Sequence, residues 1–93
     1  MGKYTVHQLD PNHREIVDAL KRVGASVDPR SPLDLTVGFA GRTTILEIKG
    51  PKGTLRPSQR KFLATWRGSA FVVRSVDEAL SAIGALNTPI LRR

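Results

Sequence analysis

The chain has 93 residues, a formal net charge of +7, no cysteine and only two histidines, His7 and His13. This length suits one domain with a modest core. The lack of cysteine excludes disulfides and thiolate metal sites, and two histidines are too few for a zinc site. No apolar run approaches the ~20 residues of a membrane span, and residues 1–10 read as an arm without a signal-peptide pattern, so we expect a soluble, cytoplasmic protein with no membrane partner.

The first predicted elements are a helix and a short strand. The helix follows Asn12, which can cap its first turn. Ile16, Leu20 and Val23 mark one apolar face, and Gly24 ends the helix. The segment ASV comes next and predicts a short strand.

Two β-rich runs at 33–37 and 43–49 predict an antiparallel hairpin. Gly38 and Gly41 lie between them and are typical of a tight turn. A flexible loop, GPKGTLRP, follows the second run.

The second half of the chain predicts a helix, a strand and a helix. The first of these helices follows Pro57 and ends at Gly68, and AFVVR predicts a short buried strand. Ser75 and Glu78 have the spacing of a capping box, which opens a last helix through about Ala85. The order α-β-β-β-α-β-α predicts one α/β domain.

Positive charge is concentrated in the second half of the chain. Residues 1–50 carry seven bases and six acids, whereas residues 51–93 carry eight bases and two acids, with a basic tail at 87–93. No acid lies between Glu47 and Asp77. This imbalance favours a polyanion such as nucleic acid as partner; the alternative is a solvated face that keeps the protein soluble.

The hairpin contains three charged residues within apolar runs. Alternation along a strand places Glu47 and Lys49 on one face, and folding about the turn brings Asp34 opposite residues 45–47. Adjacent carboxylates repel unless a cation lies between them, and hard oxygen ligands suit Mg²⁺. The alternative is a plain surface pair of Glu47 and Lys49, with Asp34 salt-bridged to an arginine.

Asp34, the hairpin turn and Glu47-Ile48-Lys49 resemble the signature of the PD-(D/E)XK nucleases. The neighbouring residues narrow the resemblance to the VRR-NUC branch, the virus-type replication-repair nucleases, in the stand-alone form of phages and prophages. The matching stretches are REIVDALKRVGASV, LDLTVGFAGRTTILEIKG, LRPSQRKFLATWRG and FVVRSVDEAL. The resemblance implies a restriction-endonuclease-like core at about 12–84 of a single domain spanning 1–93, with a small mixed sheet flanked by helices.

The resemblance also implies a role for each matching position. Asp34 and Glu47 would hold the metal, with the backbone carbonyl of Ile48 as a further ligand, and Lys49 would be the catalytic lysine. Glu15 would reach the metal directly or through water; alternatively it only caps the first helix with its neighbour three residues earlier.

Other positions are more ambiguous or depart from the pattern. Gln59 would face the active site or the DNA backbone, or else lie on the surface of the second helix. Phe62 and Trp66, at i,i+4 spacing, are expected in the core rather than as base-stacking platforms. Leu33 stands where the family has proline, and Arg56 where a threonine often caps the second helix.

We therefore expect an endonuclease that hydrolyses DNA phosphodiesters with Mg²⁺, for which Mn²⁺ can substitute, and with no organic cofactor. The resemblance implies branched DNA such as four-way junctions as substrate, a homodimer, and the host cytoplasm as location if the chain is phage-encoded. The alternative is a catalytically idle basic module that binds DNA. The DNA-binding residues expected in either case are Lys52, Arg56, Arg60, Lys61, Arg67 and Arg74.

Overall fold

The computed structural model describes residues 10–86 of the chain. Within them it contains α1 (His13–Arg22), β1 (Ser26–Asp28), β2 (Leu35–Phe39), β3 (Arg42–Ile48), α2 (Pro57–Thr65), β4 (Ala70–Val73) and α3 (Val76–Ala82). This is a small α/β domain, and the predicted order of its elements is confirmed. The predicted tail and all but the last residue of the predicted arm lie outside the described residues.

The four strands form one mixed sheet in the order β1-β2-β3-β4. β1, β2 and β3 are antiparallel neighbours, whereas β3 and β4 run parallel. The parallel pairing needs a long connection, which α2 and its flanking loops supply. β3 is therefore a central strand, and its end is fixed by both β2 and β4.

The apolar core lies between α1, α3 and one face of the sheet. Its largest fully buried side chains include Ile16 and Leu20 of α1 and Leu46 and Ile48 of β3. Val23, predicted on the same helix face, is instead 39% exposed. The reason is that α1 ends one residue earlier and Val23 is its C-cap.

The hairpin strands are shifted relative to the prediction. β2 begins at Leu35 rather than at residue 33, so Asp34 lies just outside the strand. Gly38 is a strand residue, and the two-residue turn is Ala40–Gly41, with φ of 53° and 77°. Two positive φ angles define a type I′ turn, whose twist matches that of the strands.

α2 contributes none of the buried apolar core. Gln59 is its one buried residue, and the predicted core position of Trp66 is wrong because that side chain is 45% exposed. Phe62 is half-buried outside the core cluster. The helix also ends at Thr65 rather than at Gly68. Spacing of i,i+4 places two side chains on one helix face but does not say which face is covered.

The C-terminal elements differ in detail from the prediction. β4 is an edge strand, and Phe71 is 45% exposed rather than buried. Ser75 Oγ accepts a hydrogen bond from Glu78 N–H, but the Glu78 carboxylate accepts from Arg74 N–H instead of returning to Ser75. α3 ends at Ala82. Among residues 10–86, no helix has the length and apolarity to cross a membrane.

Candidate active site

The hairpin brings Asp34 and Glu47 together at the end of β3. The register that pairs Leu35 with Leu46 places Asp34 beside Glu47 on the face opposite the apolar core. Asp34 Oδ2 accepts a hydrogen bond of 2.8 Å from Ile48 N–H, which fixes the carboxylate against the strand. The convergence expected from strand alternation is thus present.

Glu47 is a buried carboxylate with two partners on one oxygen. Its Oε2 accepts a hydrogen bond of 2.9 Å from Gln59 Nε2 and lies 3.3 Å from Lys49 Nζ. Glu47 is only 3% exposed, and the side chain of Lys49 is also largely covered. A plain surface pair is therefore wrong for these two residues, and Asp34 has no arginine partner among the described residues.

Gln59 joins α2 to this cluster. Its Oε1 accepts a hydrogen bond of 2.8 Å from Arg56 N–H and so satisfies a free donor at the start of the helix. Its Nε2 donates to Glu47 on the sheet. The amide oxygen has a donor as its partner and the amide nitrogen has an acceptor, so the orientation of the Gln59 amide is defined. Gln59 is 7% exposed, which rules out the alternative of a surface helix residue.

The pKa of Glu47 is raised. Burial is the largest cause, because it disfavours the charged form, and repulsion from the Asp34 carboxylate acts in the same direction. The Lys49 ammonium opposes both effects through its hydrogen bond and its charge. The site therefore holds a carboxylate that would gain from a further positive charge nearby.

A cavity of about 280 Å³ opens above these groups. It is lined by Pro32, Leu33, Asp34, Glu47, Arg56, Ser58, Gln59 and Phe62. A larger cavity of about 550 Å³ lies over α1 and contains neither Asp34 nor Glu47. The smaller cavity is the better candidate site, because buried charged and amide groups converge on it.

The donor set at this cavity fits a hard divalent cation. Among residues 10–86 there is no group of three or more His, Cys, Asp or Glu side chains that could hold a metal ion. Two carboxylates are present, however, and their hydrogen bonds and ion pair involve Asp34 Oδ2 and Glu47 Oε2. In the described residues no donor is bonded to Asp34 Oδ1 or Glu47 Oε1. Mg²⁺ takes one or two carboxylates and completes its shell with water or phosphate.

Glu15 is not part of this cluster. It is an exposed residue in the first turn of α1, and in the described part of the chain no hydrogen bond or ion pair links it to Asp34, Glu47 or Lys49. The capping alternative is not formed either, since Asn12 makes no side-chain hydrogen bond to the helix.

Asn12 instead ties α1 to the sheet, a role that sequence reasoning missed. Its Nδ2 donates to the carbonyls of Lys49 and Arg74, at 3.1 and 2.8 Å, and so bridges the ends of the parallel strands β3 and β4. These partners lie 37 and 62 residues away along the chain. No local pattern could have indicated them. The Asn12 amide therefore holds the backbone of the candidate catalytic lysine.

The expected DNA-binding residues fall into two groups. Those with exposed side chains are Lys52, Arg56, Arg60, Lys61 and Arg67. Arg74 is half-buried, and its Nη1 donates to the carbonyls of Gly50 and Gly53 at 2.7 and 2.9 Å. Arg74 thus holds the loop after β3 in place.

No protein-family profile, curated protein or solved structure matches this chain.

Proposed function

We propose that this chain is a divalent-metal-dependent endonuclease of the PD-(D/E)XK type, close to the VRR-NUC branch, that hydrolyses DNA phosphodiesters in branched substrates. The observation that carries the proposal is the buried Glu47, which accepts from Gln59, pairs with Lys49 and lies beside Asp34. Burying a carboxylate is costly, and this arrangement places two of them at one end of the sheet. The two carboxylates repel each other, and a purely structural role does not explain why they lie side by side.

The proposed division of labour follows from the contacts. Asp34 and Glu47 would hold Mg²⁺, with the Ile48 carbonyl as a candidate third ligand. When bound, such an ion lowers the pKa of water and offsets charge on the phosphate. Gln59 keeps the Glu47 carboxylate in one orientation through its hydrogen bond. Asp34 is held in the same way by Ile48 N–H.

Lys49 is the proposed group that meets the reacting phosphate. Its ammonium, 3.3 Å from Glu47 Oε2, is a positioned donor for the attacking water or for a phosphate oxygen. In the hydrolysis the water oxygen bonds to phosphorus, the phosphorus–oxygen ester bond breaks, and the departing oxygen takes up a proton. The Asn12 amide fixes the backbone from which this lysine extends.

A cleavage assay with matched variants tests the proposal. Labelled four-way junction, flap and duplex DNA are incubated with the protein in Mg²⁺, in Mn²⁺ and in excess chelator. We expect cleavage of the branched substrates in either metal and none in chelator. Asp34→Asn and Lys49→Ala should each lose at least ~100-fold in single-turnover rate. The control is Asp77→Asn, which makes the same change at an exposed residue of α3. This variant should cleave like the parent.

An idle DNA-binding module is the second candidate, favoured by the exposed bases on and around α2. It predicts junction binding with a salt dependence but no cleavage in any metal. The nuclease proposal fails if Asp34→Asn cleaves as fast as the parent, or if cleavage persists in chelator.

We further propose that the enzyme acts as a twofold homodimer. A domain of this size buries limited apolar surface, and resolving a junction requires two symmetric sites. β1 and β4 are edge strands of the described sheet, so each offers a side to a second copy. Light scattering at micromolar concentration should give twice the mass of the chain, and a monomer mass would contradict this.

A further inference from the structure

Phe62 and Trp66 form a stacked aromatic pair outside the core. Their ring centroids are 5.0 Å apart and their planes differ by 22°. Trp66 is 45% exposed, although burial of a tryptophan normally contributes strongly to stability. Single exposed apolar side chains are common, but two stacked rings form a contiguous apolar surface, and such surfaces mark binding sites.

The indole of Trp66 also lies close to the backbone of Gly68. A Cβ atom added to Gly68 would lie 2.8 Å from Trp66 Nε1 and 3.4 Å from Cε2. In this position the ring leaves no room for a side chain at residue 68, so a glycine fits there. Phe62 and Gly68 together hold the exposed ring in one place. A surface that is ordered before binding loses less entropy when a ligand arrives.

This pair is continuous with the candidate active site. Phe62 lines the same cavity as Asp34 and Glu47, and it is stacked on Trp66. The aromatic surface thus begins at the carboxylates and leads away from them along α2.

The charge around the pair indicates what can cover it. α2 has no acidic residue in its first turn, and Arg56, Arg60, Lys61 and Arg67 are exposed on the helix and its flanks. A second copy packed about a twofold axis through this surface would set these like charges against each other. A nucleic acid strand supplies phosphates for the bases and flat rings for the aromatic pair.

We propose that Phe62 and Trp66 form a stacking platform for an unpaired nucleobase next to the phosphate that the site cleaves. This inference rests on the proposed function, since it names the part of the substrate that the same site selects. Substrates with an unstacked base beside the scissile bond, as in a flap or a bubble, would be preferred over fully paired duplex.

The chain carries its own reporter for this contact, because Trp66 is its one tryptophan. In metal-free buffer with chelator, oligothymidylate should quench the Trp66 fluorescence. An oligomer of the same length built from abasic sites should bind through its phosphates and leave the fluorescence nearly unchanged. If oligothymidylate binds without changing the Trp66 fluorescence, the platform is overturned.

Substitutions separate the stacking from the phosphate contacts. Base stacking on an aromatic side chain is worth roughly 5- to 150-fold in affinity, so Trp66→Leu should weaken oligothymidylate binding by a factor in that range. It should leave the affinity for the abasic oligomer unchanged. Phe71→Leu is the matched control, because Phe71 is equally exposed but lies on β4; it should bind both oligomers like the parent.

Gly68→Ala tests the placement of the ring without removing it. The added methyl group has to displace the indole, so the quenching and the base-dependent part of the affinity should both fall. Equal affinity of parent, Trp66→Leu and Gly68→Ala for oligothymidylate would contradict the platform.

The binding and cleavage assays test the stacking platform and the nuclease proposal separately. Quenching by oligothymidylate in a protein that never cleaves supports the platform and removes the nuclease. If the parent cleaves, it should prefer a bubble over matched duplex by a factor that falls in Trp66→Leu and is kept in Phe71→Leu. Cleavage without quenching, or a preference that Trp66→Leu leaves intact, overturns the platform and keeps the nuclease.

Discussion

The two faces of the sheet differ sharply although they share the same strands. One face carries Leu46 and Ile48, fully buried beneath α1 and α3. The other carries Glu47, which accepts a hydrogen bond from Gln59 of α2, and Lys49, which pairs with Glu47. From Leu46 to Lys49, at the end of β3, consecutive side chains therefore alternate between the apolar core and the charged cluster.

The two faces therefore contribute differently to stability. The core face gains free energy from apolar burial. The site face contains a buried carboxylate with a raised pKa, next to a second carboxylate, and so it costs stability. Such a cost is typical of functional sites.

The largest expected effect is the loss of packing on the core face. Leu46→Ala removes a fully buried side chain and should lower the free energy of unfolding by about 2–5 kcal/mol. Each kcal/mol corresponds to roughly 4–8 °C in a domain of this size. Thermal unfolding by circular dichroism measures the effect. Leu63→Ala, at a half-buried position on α2, should cost clearly less; equal losses would mean that both faces carry the fold.

A bound metal ion should offset the loss of stability caused by the two carboxylates. Mg²⁺ at 100 times its dissociation constant should raise the free energy of unfolding by about 2.7 kcal/mol, because it binds the folded pair of carboxylates. The thermal midpoint is measured as a function of Mg²⁺ concentration. Asp34→Asn should abolish the shift, whereas Asp77→Asn should keep it. A shift that survives in Asp34→Asn would place the ion elsewhere.

The site could be anticipated where its geometry is local. Glu47 and Lys49 lie on one side of the chain because side chains alternate along extended backbone, and Asp34 joins them because the hairpin turn sets the register. Gln59 was assigned to the site only from the resemblance to the nuclease family, since nothing in its own segment indicates a partner on β3. Its hydrogen bond to Glu47 links residues 12 positions apart across a loop.

Other features could not be anticipated from local patterns. Asn12 has the position of a helix cap, but its side chain meets two distant backbone carbonyls instead. Phe62 and Trp66, at i,i+4 spacing, stack on each other. Their spacing gave no information on burial, and Gln59 is the one residue of α2 that is buried. Which helix face is covered depends on the tertiary arrangement.

A smaller effect should appear when the buried charge is removed. Glu47→Gln keeps the shape and an oxygen for Gln59 Nε2, but it removes the carboxylate whose pKa is raised above 4.5. The folded parent binds this proton more tightly than the unfolded chain, so its stability falls as pH rises through that region. In metal-free buffer Glu47→Gln should gain about 1 kcal/mol at pH 7.

The gain should shrink toward a pH of about 3, well below the ordinary pKa of glutamate, because the parent carboxyl is then protonated in both states. Chemical denaturation at the two pH values measures it. Lys49 loses its partner in this variant, which limits the gain. A gain that is equal at both pH values would show that the Glu47 charge is not its source.

The smallest effect concerns the hairpin turn, which belongs to neither face. Ala40 has φ of 53°, a left-handed conformation that disfavours alanine and suits asparagine before glycine. Ala40→Asn should therefore raise the free energy of unfolding by roughly 0.5–1 kcal/mol, and Ala40→Val should lower it, both measured by denaturant titration. Neither variant touches the carboxylates, so Ala40→Asn should keep the Mg²⁺ shift and the cleavage rate. If Ala40→Asn and Glu47→Gln gain similar stability but only Glu47→Gln loses cleavage, the loss arises from the buried carboxylate itself and not from a more rigid protein.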